Sequence, residues 1–207
     1  MSLYTTPASA DDLRLPELNK WLASLPAPAL KLDTLRPASS DASFRRYFRI
    51  DGADGATFIV MDAPPPQEDV RPFIHVAGVF GATGVSVPAI LAQDIEQGFL
   101  LLSDLGSTTY LQLLNPDNAH KLYIDAIDAL VHLQIHSKPA VLPEYDRSLL
   151  LRELMLFPEW YVGKHLGLTM TEKQTAALNQ VFELLLANNL AQAQVYVHRD
   201  YHSRNLM

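Results

Sequence analysis

The chain has 207 residues, 48% hydrophobic and 19% charged, which is enough for a sizeable core in one domain or two small lobes. A formal net charge of −7, with no basic stripe, excludes nucleic acid or an anionic membrane as the main partner, because phosphate backbones demand clustered Lys and Arg. Cysteine is absent, so there is neither a disulfide framework nor a thiolate zinc site.

Taken in chain order, residues 11–24 read as a helix whose apolar side is Leu15, Leu18, Trp21 and Leu22. The start of the chain lacks a basic segment followed by an apolar one, and no run approaches the ~18 apolar residues of a membrane span, so a soluble cytoplasmic protein is expected. Short extended runs at 47–50, 57–61, 87–91 and 99–102, separated by turn clusters at 51–55 and 63–66, predict an antiparallel sheet. A helix over about 69–80 interrupts them and ends at Gly81 or Gly84. Near residue 105 the pattern turns helical. Asn115 and Pro116 read as an N-cap and first-turn pair ahead of Tyr123, Ile127, Leu130 and Val131 at helical spacing. Ser148 is expected to cap a segment reaching about Lys164, and Thr171 with Gln174 forms a capping box before Leu178, Val181, Phe182 and Leu185. The fold class is therefore α+β, with the sheet first and the helices after it.

The chain closes on its most informative stretch. Val195, Tyr196 and Val197 read as a short strand that breaks into His198, Asp200 and, five residues on, Asn205. Such a loop can present Asp200 to a hydroxyl, orienting it and accepting its proton, while Asn205 offers a neutral amide oxygen to a Mg²⁺ on nucleotide phosphates. His198 would hold the loop backbone through its ring nitrogens. A bare HxDxxxxN string recurs by chance in roughly one chain per hundred of this size, so the order of elements around it carries the identification. The plain alternative is a polar strand-to-loop junction.

That order, a small sheet lobe and then a helical lobe, resembles the protein-kinase-like fold. The chain is similar to the aminoglycoside phosphotransferase superfamily, and within it to the cell-wall-recycling kinases acting on the anomeric hydroxyl of N-acetylmuramate and N-acetylglucosamine. The likeness is carried by the SDASFRRYFR stretch at 40–49, VMDAPP at 60–65, LLSDLG at 101–106 and residues 198–207. It implies an N-lobe over 1–104 that binds nucleotide, and a partial helical C-lobe over 105–207 that carries the catalytic loop. It also implies ATP and Mg²⁺ as cofactors and a small-molecule amino sugar as partner. Residues 40–46 would form the nucleotide loop, with Ser43 and the arginines near the phosphates. Ser103 and Leu105 would bond adenine through a carbonyl and an N–H. Relatives place a further metal-binding carboxylate about fifteen to twenty-five residues past the loop Asn, so the sequence is expected to be C-terminally truncated.

Where relatives carry a strand Lys or Arg for the phosphates, this chain has Met61, and no lysine lies between Lys31 and Lys121. The candidate cations are Arg45 and Arg49 on one strand face and Arg46 on the other, with Glu68 a candidate to hold one of them. His132 and His136 sit one helical turn apart, but no third metal ligand lies near in sequence. Trp160 and Tyr161 could stack on a sugar ring, and Arg147, Arg152 and Glu153 share their segment, although Trp160 reads better as core. The remaining functional alternatives are an aminoglycoside- or choline-type kinase, a nucleotide-binding pseudokinase or regulatory module, and a purely structural domain.

Overall fold

The computed structural model describes residues 12–40 and 44–207. The chain divides into two compact units, Met1–His136 with His198–Met207, and Ser137–Val197. The first unit is built on five antiparallel strands, β1 (Leu30–Ser40), β2 (Arg46–Gly52), β3 (Thr57–Asp62), β4 (Ile90–Asp94) and β5 (Phe99–Ser103), in the order β1-β2-β3-β5-β4. Phe99, Leu100, Leu101 and Leu102 of β5 are all buried, so both faces of this sheet must be covered. One face packs on α1 (Arg14–Ser24), whose Leu18, Trp21 and Leu22 meet Phe48, Ile50, Val60, Phe99 and Leu101. The other gathers Met61, Leu100 and Leu102 against Val70, with Phe73 and Ile74 from α2 (Arg71–Gly81).

β1 is a strand where none was expected: Asp33, Thr34 and Pro37 break the apolar alternation, and its pairing with β2 shifts register twice. Pro37 is tolerated because β1 is an edge strand. The run expected at 87–91 is displaced to β4: Pro88 has no N–H to donate, and the regular ladder with β5 begins at Ile90.

After β5 come α3 (Tyr110–Leu113) and α4 (Ala119–Ile135). Asn115 makes the bonds of an N-cap, its side chain accepting the Asp117 and Asn118 N–H groups ahead of Pro116, but they close a turn at 116–118, and regular α4 begins one turn later behind Asn118. Tyr123, Ile127 and Val131 lie on the exposed side of α4; Ala126 and Leu133 are its buried residues. His132 bonds the Thr83 carbonyl at 2.7 Å, and His136 bonds the His132 carbonyl at 2.8 Å. Among the described residues no group of three or more acidic or imidazole side chains is gathered as a metal site.

The second unit holds α5 (Arg147–Leu156), a π-helix (Phe157–His165) and α6 (Glu172–Leu190). Its first cap is Asp146, not Ser148: the Asp146 carboxylate accepts the Leu149 N–H at 2.8 Å, and the Ser148 hydroxyl donates to that same carboxylate. The Thr171–Gln174 capping box opens α6 as expected. Trp160 is not core. It is 60% exposed, with the Lys164 ammonium over its ring. Residues 195–197 pair into no ladder; β-branched composition favours a strand, but no described strand lies alongside to supply the hydrogen bonds.

Candidate active site

The loop beginning at His198 is fastened to α3 and α4. The Tyr201 hydroxyl donates to the Ala126 carbonyl of α4. At the start of α3, the Tyr110 N–H donates to the Leu206 carbonyl at 2.8 Å and the Leu111 N–H to the Ser203 carbonyl at 2.9 Å. Helix-start N–H groups have no intrahelical acceptor, so the loop satisfies two of them while gaining a fixed position.

Within the loop, Arg199 adopts φ +71°, a left-handed conformation that costs a non-glycine residue about 1–3 kcal/mol. Asp200 follows with its side chain 69% exposed. Its Oδ2 accepts from Asn205 Nδ2 at 2.7 Å, and its backbone carbonyl accepts from the same nitrogen at 3.0 Å. The Asn205 amide nitrogen is thereby committed to Asp200, and its Oδ1, with no protein partner among the described residues, is a hard neutral oxygen beside a carboxylate. That amide oxygen suits Mg²⁺, which takes one or two protein oxygens and completes its shell with water and phosphate. His202 Nε2 lies 2.9 Å from Asp200 Oδ1, while its Nδ1 accepts the Arg204 N–H at 3.2 Å.

His198 does not hold the loop through its nitrogens. Its ring packs against Phe80 and Tyr201, at 6.1 and 5.4 Å between centroids, and Nδ1 is buried with no hydrogen-bond partner among the described residues. Burial is the main cause holding its pKa below the usual histidine value, so the ring is neutral near pH 7.

The three arginines part company. Arg46 stands opposite Asp62 in the β2–β3 register and donates to that buried carboxylate, on the face away from Met61. Arg14 donates to the other Asp62 oxygen at 2.6 Å, and Arg46 also reaches Asp12. Arg49, expected at the phosphates together with Arg45, is engaged elsewhere. Its Nε and Nη2 bond both oxygens of Asp104, and Nη2 also donates to the Gly106 carbonyl at 2.7 Å. Thr57 Oγ1 and the Gly106 N–H donate to Asp104 as well. With Nε and Nη2 taken this way, Arg49 is a brace for the segment between Ser103 and Leu105.

Arg45 is the arginine that meets Glu68. Its Nε donates to Glu68 Oε2 at 3.0 Å, and Glu68 Oε1 accepts the Phe44 N–H at 3.2 Å. Met61 is fully buried, paired with Tyr47 and Leu100. Ser103 is tied to Ala89, donating its N–H to the Ala89 carbonyl and accepting the Ala89 N–H on Oγ, both at 2.8 Å. Leu105 is 47% exposed, and its N–H has no protein acceptor among the described residues. Ser43 lies outside the described residues.

Two residues at the site, Asp104 and His202, carry no signal in the motif. Asp104 needs the β2–β3–β5 register before its partners can be named, and the HxDxxxxN pattern leaves the second position after Asp unspecified.

Residues 34–207 match the model of the phosphotransferase enzyme family. The chain is 51% identical over 207 residues to the N-acetylmuramate/N-acetylglucosamine kinase of Pseudomonas aeruginosa, covering 96% of this chain and 61% of that protein. The protein of the same name from Neisseria meningitidis is 46% identical over 195 residues, covering 92% and 57%. The chain thus spans about three fifths of the length of these curated relatives. Among solved structures, the streptomycin–ATP–APH(2")-IIa ternary complex aligns with TM-score 0.56 at 16% identity, over 96% of this chain and 67% of that one. ADP-bound aminoglycoside phosphotransferase APH(2'')-Ib aligns with TM-score 0.52 at 16% identity, over 94% and 65%. These likenesses establish a common fold, and with the match across residues 34–207 they place the chain in the phosphotransferase enzyme family.

Proposed function

We propose that the protein carrying this chain transfers the γ-phosphoryl group of ATP to the anomeric hydroxyl of N-acetylmuramate or N-acetylglucosamine, giving the sugar 1-phosphate. The observation that carries the reading is the joined pair Asp200 and Asn205, with the Asn205 amide nitrogen on the carboxylate and its oxygen left as a cation donor. The 51% and 46% identity to proteins named N-acetylmuramate/N-acetylglucosamine kinase supports the acceptor class.

In this reading Asp200 orients the sugar hydroxyl and takes its proton, and Asn205 is where Mg²⁺ would be held. Bound there, Mg²⁺ would offset phosphate charge. Arg45, held by Glu68, supplies a fixed positive charge to the phosphates, near the loop that includes Ser43. Ser103 and Leu105 meet adenine, and the Arg49–Asp104 brace keeps their backbone in place. His198 packs the base of the loop. No covalent enzyme intermediate is needed, because positioning and charge carry phosphoryl transfer. The functional lobes divide at 104/105, and the protein works in the cytoplasm as a soluble enzyme; no helix among the described residues is long and apolar enough to cross a membrane.

The test is turnover of the intact protein with ATP, Mg²⁺ and a panel of N-acetylmuramate, N-acetylglucosamine, an aminoglycoside and choline. The expected product is a sugar phosphate that has lost its reducing-end reactivity, as only phosphorylation at the anomeric oxygen requires. Transfer to the aminoglycoside or choline alone would overturn the acceptor assignment. Nucleotide binding without transfer to any of them would make the protein a regulatory module.

A further inference from the structure

We infer that His202 is the positioning residue that sets the Asp200 carboxylate, an inference that rests on the reading of Asp200 as the group receiving the hydroxyl proton. An aspartate on a loop with a side chain 69% exposed has little packing to choose its rotamer. Here both oxygens have a close polar neighbour instead. Asn205 Nδ2 donates to Oδ2 at 2.7 Å, and His202 Nε2 lies 2.9 Å from Oδ1. The imidazole is itself held: its Nδ1 accepts the Arg204 N–H at 3.2 Å, so a neutral ring carries its proton on Nε2, the atom facing Asp200. The ring, anchored on the Arg204 N–H, lies against Oδ1 and limits the carboxylate from the side that Asn205 does not reach. A carboxylate oxygen has two acceptor positions, so each oxygen keeps one for the incoming hydroxyl. The ring orients the base without occupying the place of the substrate.

Two amide side chains separate the contacts. Gln at 202 can bring an amide N–H to the place of Nε2 and keep the polar contact with Asp200. Asn is too short for that, yet keeps an acceptor near the place of Nδ1 for the Arg204 N–H. In the intact protein we expect His202→Gln to hold kcat within about threefold, and His202→Asn and His202→Ala to lower kcat about 10- to 100-fold, the scale of a small misplacement at a reacting group. ATP KM and thermal midpoint should stay near wild type in all three. In an Asp200→Asn background, His202→Asn should cost nothing more, because contacts that act through one group are not additive.

Full activity of His202→Asn, an equal loss in His202→Gln, or a loss that persists undiminished in the Asp200→Asn background would each overturn the inference. A raised ATP KM with unchanged kcat would overturn it too, moving His202 to nucleotide binding. If Asp200→Asn alone keeps wild-type turnover, the reading of Asp200 falls first and the inference with it. A collapse in Asp200→Asn beside an active His202→Asn sinks only the inference.

Discussion

Replacing Arg45 by Met in the intact protein asks whether the cation missing at Met61 is supplied from the start of β2. The pair it forms with Glu68 is short, at 3.0 Å, and its side chains are only 31% and 12% exposed, so the guanidinium is held in place before any nucleotide arrives. Burial works against the Arg45 charge, yet Glu68 and Tyr47 outweigh it, and its pKa lies above the ordinary arginine value. A charge-assisted contact to phosphate is worth about 1.5–3 kcal/mol, which at about 1.4 kcal/mol per factor of ten is a loss of about 10- to 150-fold in kcat/KM. The upper end is expected, because Arg45→Met also leaves the Glu68 carboxylate facing the phosphates with its charge uncompensated. Glu68→Gln keeps an acceptor for the Phe44 N–H and removes only the charge, and should cost less than about tenfold. The assay is steady-state turnover with ATP varied at saturating sugar, with thermal melts alongside. Arg49→Met is the contrasting variant: it strips the brace from Asp104 and should lower the melting temperature, whereas Arg45→Met should leave it nearly unchanged. Wild-type kinetics in Arg45→Met, or a purely kinetic defect in Arg49→Met, would refute the assignment.

Asp62 is fully buried between Arg14 and Arg46, so Asp62→Ala takes one carboxylate from two partly exposed guanidinium groups, Arg46 keeping Asp12 and Arg14 the Gln97 carbonyl, and should destabilise the protein by about 1–3 kcal/mol, read as a lowered urea midpoint at an unchanged slope. Asp104 responds to pH through the same kind of pairing. Burial alone would raise its pKa, but the donors Arg49, Thr57 and Gly106 outweigh this and hold it below the usual carboxylate value. A depressed folded pKa gives stability that is full above the unfolded value of ~3.9 and is lost as pH falls through the folded one. Removing Arg49 should therefore bring the acid-unfolding midpoint to higher pH, and an unmoved midpoint in Arg49→Met would show that Asp104 draws nothing from it. Asp12, lowered chiefly by its bond to Arg46, shares this direction, so Arg46→Met should shift the acid limb the same way.

The sheet was legible wherever strands are buried on both faces, as in Val60 and Met61 of β3 and residues 99–102 of β5, because an unbroken apolar run has few other places to go. β1 was not, since its polar residues and Pro37 suit only an edge with interrupted register. Asp200 and Asn205 were visible as a spacing, and their direct hydrogen bond is what that spacing produces in a tight loop. The roles of the arginines were beyond the sequence. Arg45, Arg46 and Arg49 differ by which carboxylate each meets, and Glu68, Asp62 and Asp104 lie 23, 16 and 55 residues away along the chain. Trp160 misled for a different reason: aromatic residues are usually covered, but here the backbone passes into a π-helix whose residues 157, 161 and 165 stack on one another at the surface.

The most direct test of the account is Asp200→Asn in the intact protein, which keeps the side-chain shape and an acceptor for Asn205 while removing the charge and the capacity to take a proton. Turnover at saturating ATP and N-acetylmuramate should fall about 10²- to 10⁴-fold with nucleotide affinity retained, whereas Asn205→Ala should in addition raise the Mg²⁺ concentration needed for half-maximal rate. Near wild-type turnover in Asp200→Asn would contradict the account, because the loop from His198 to Asn205 holds no other carboxylate to take its place.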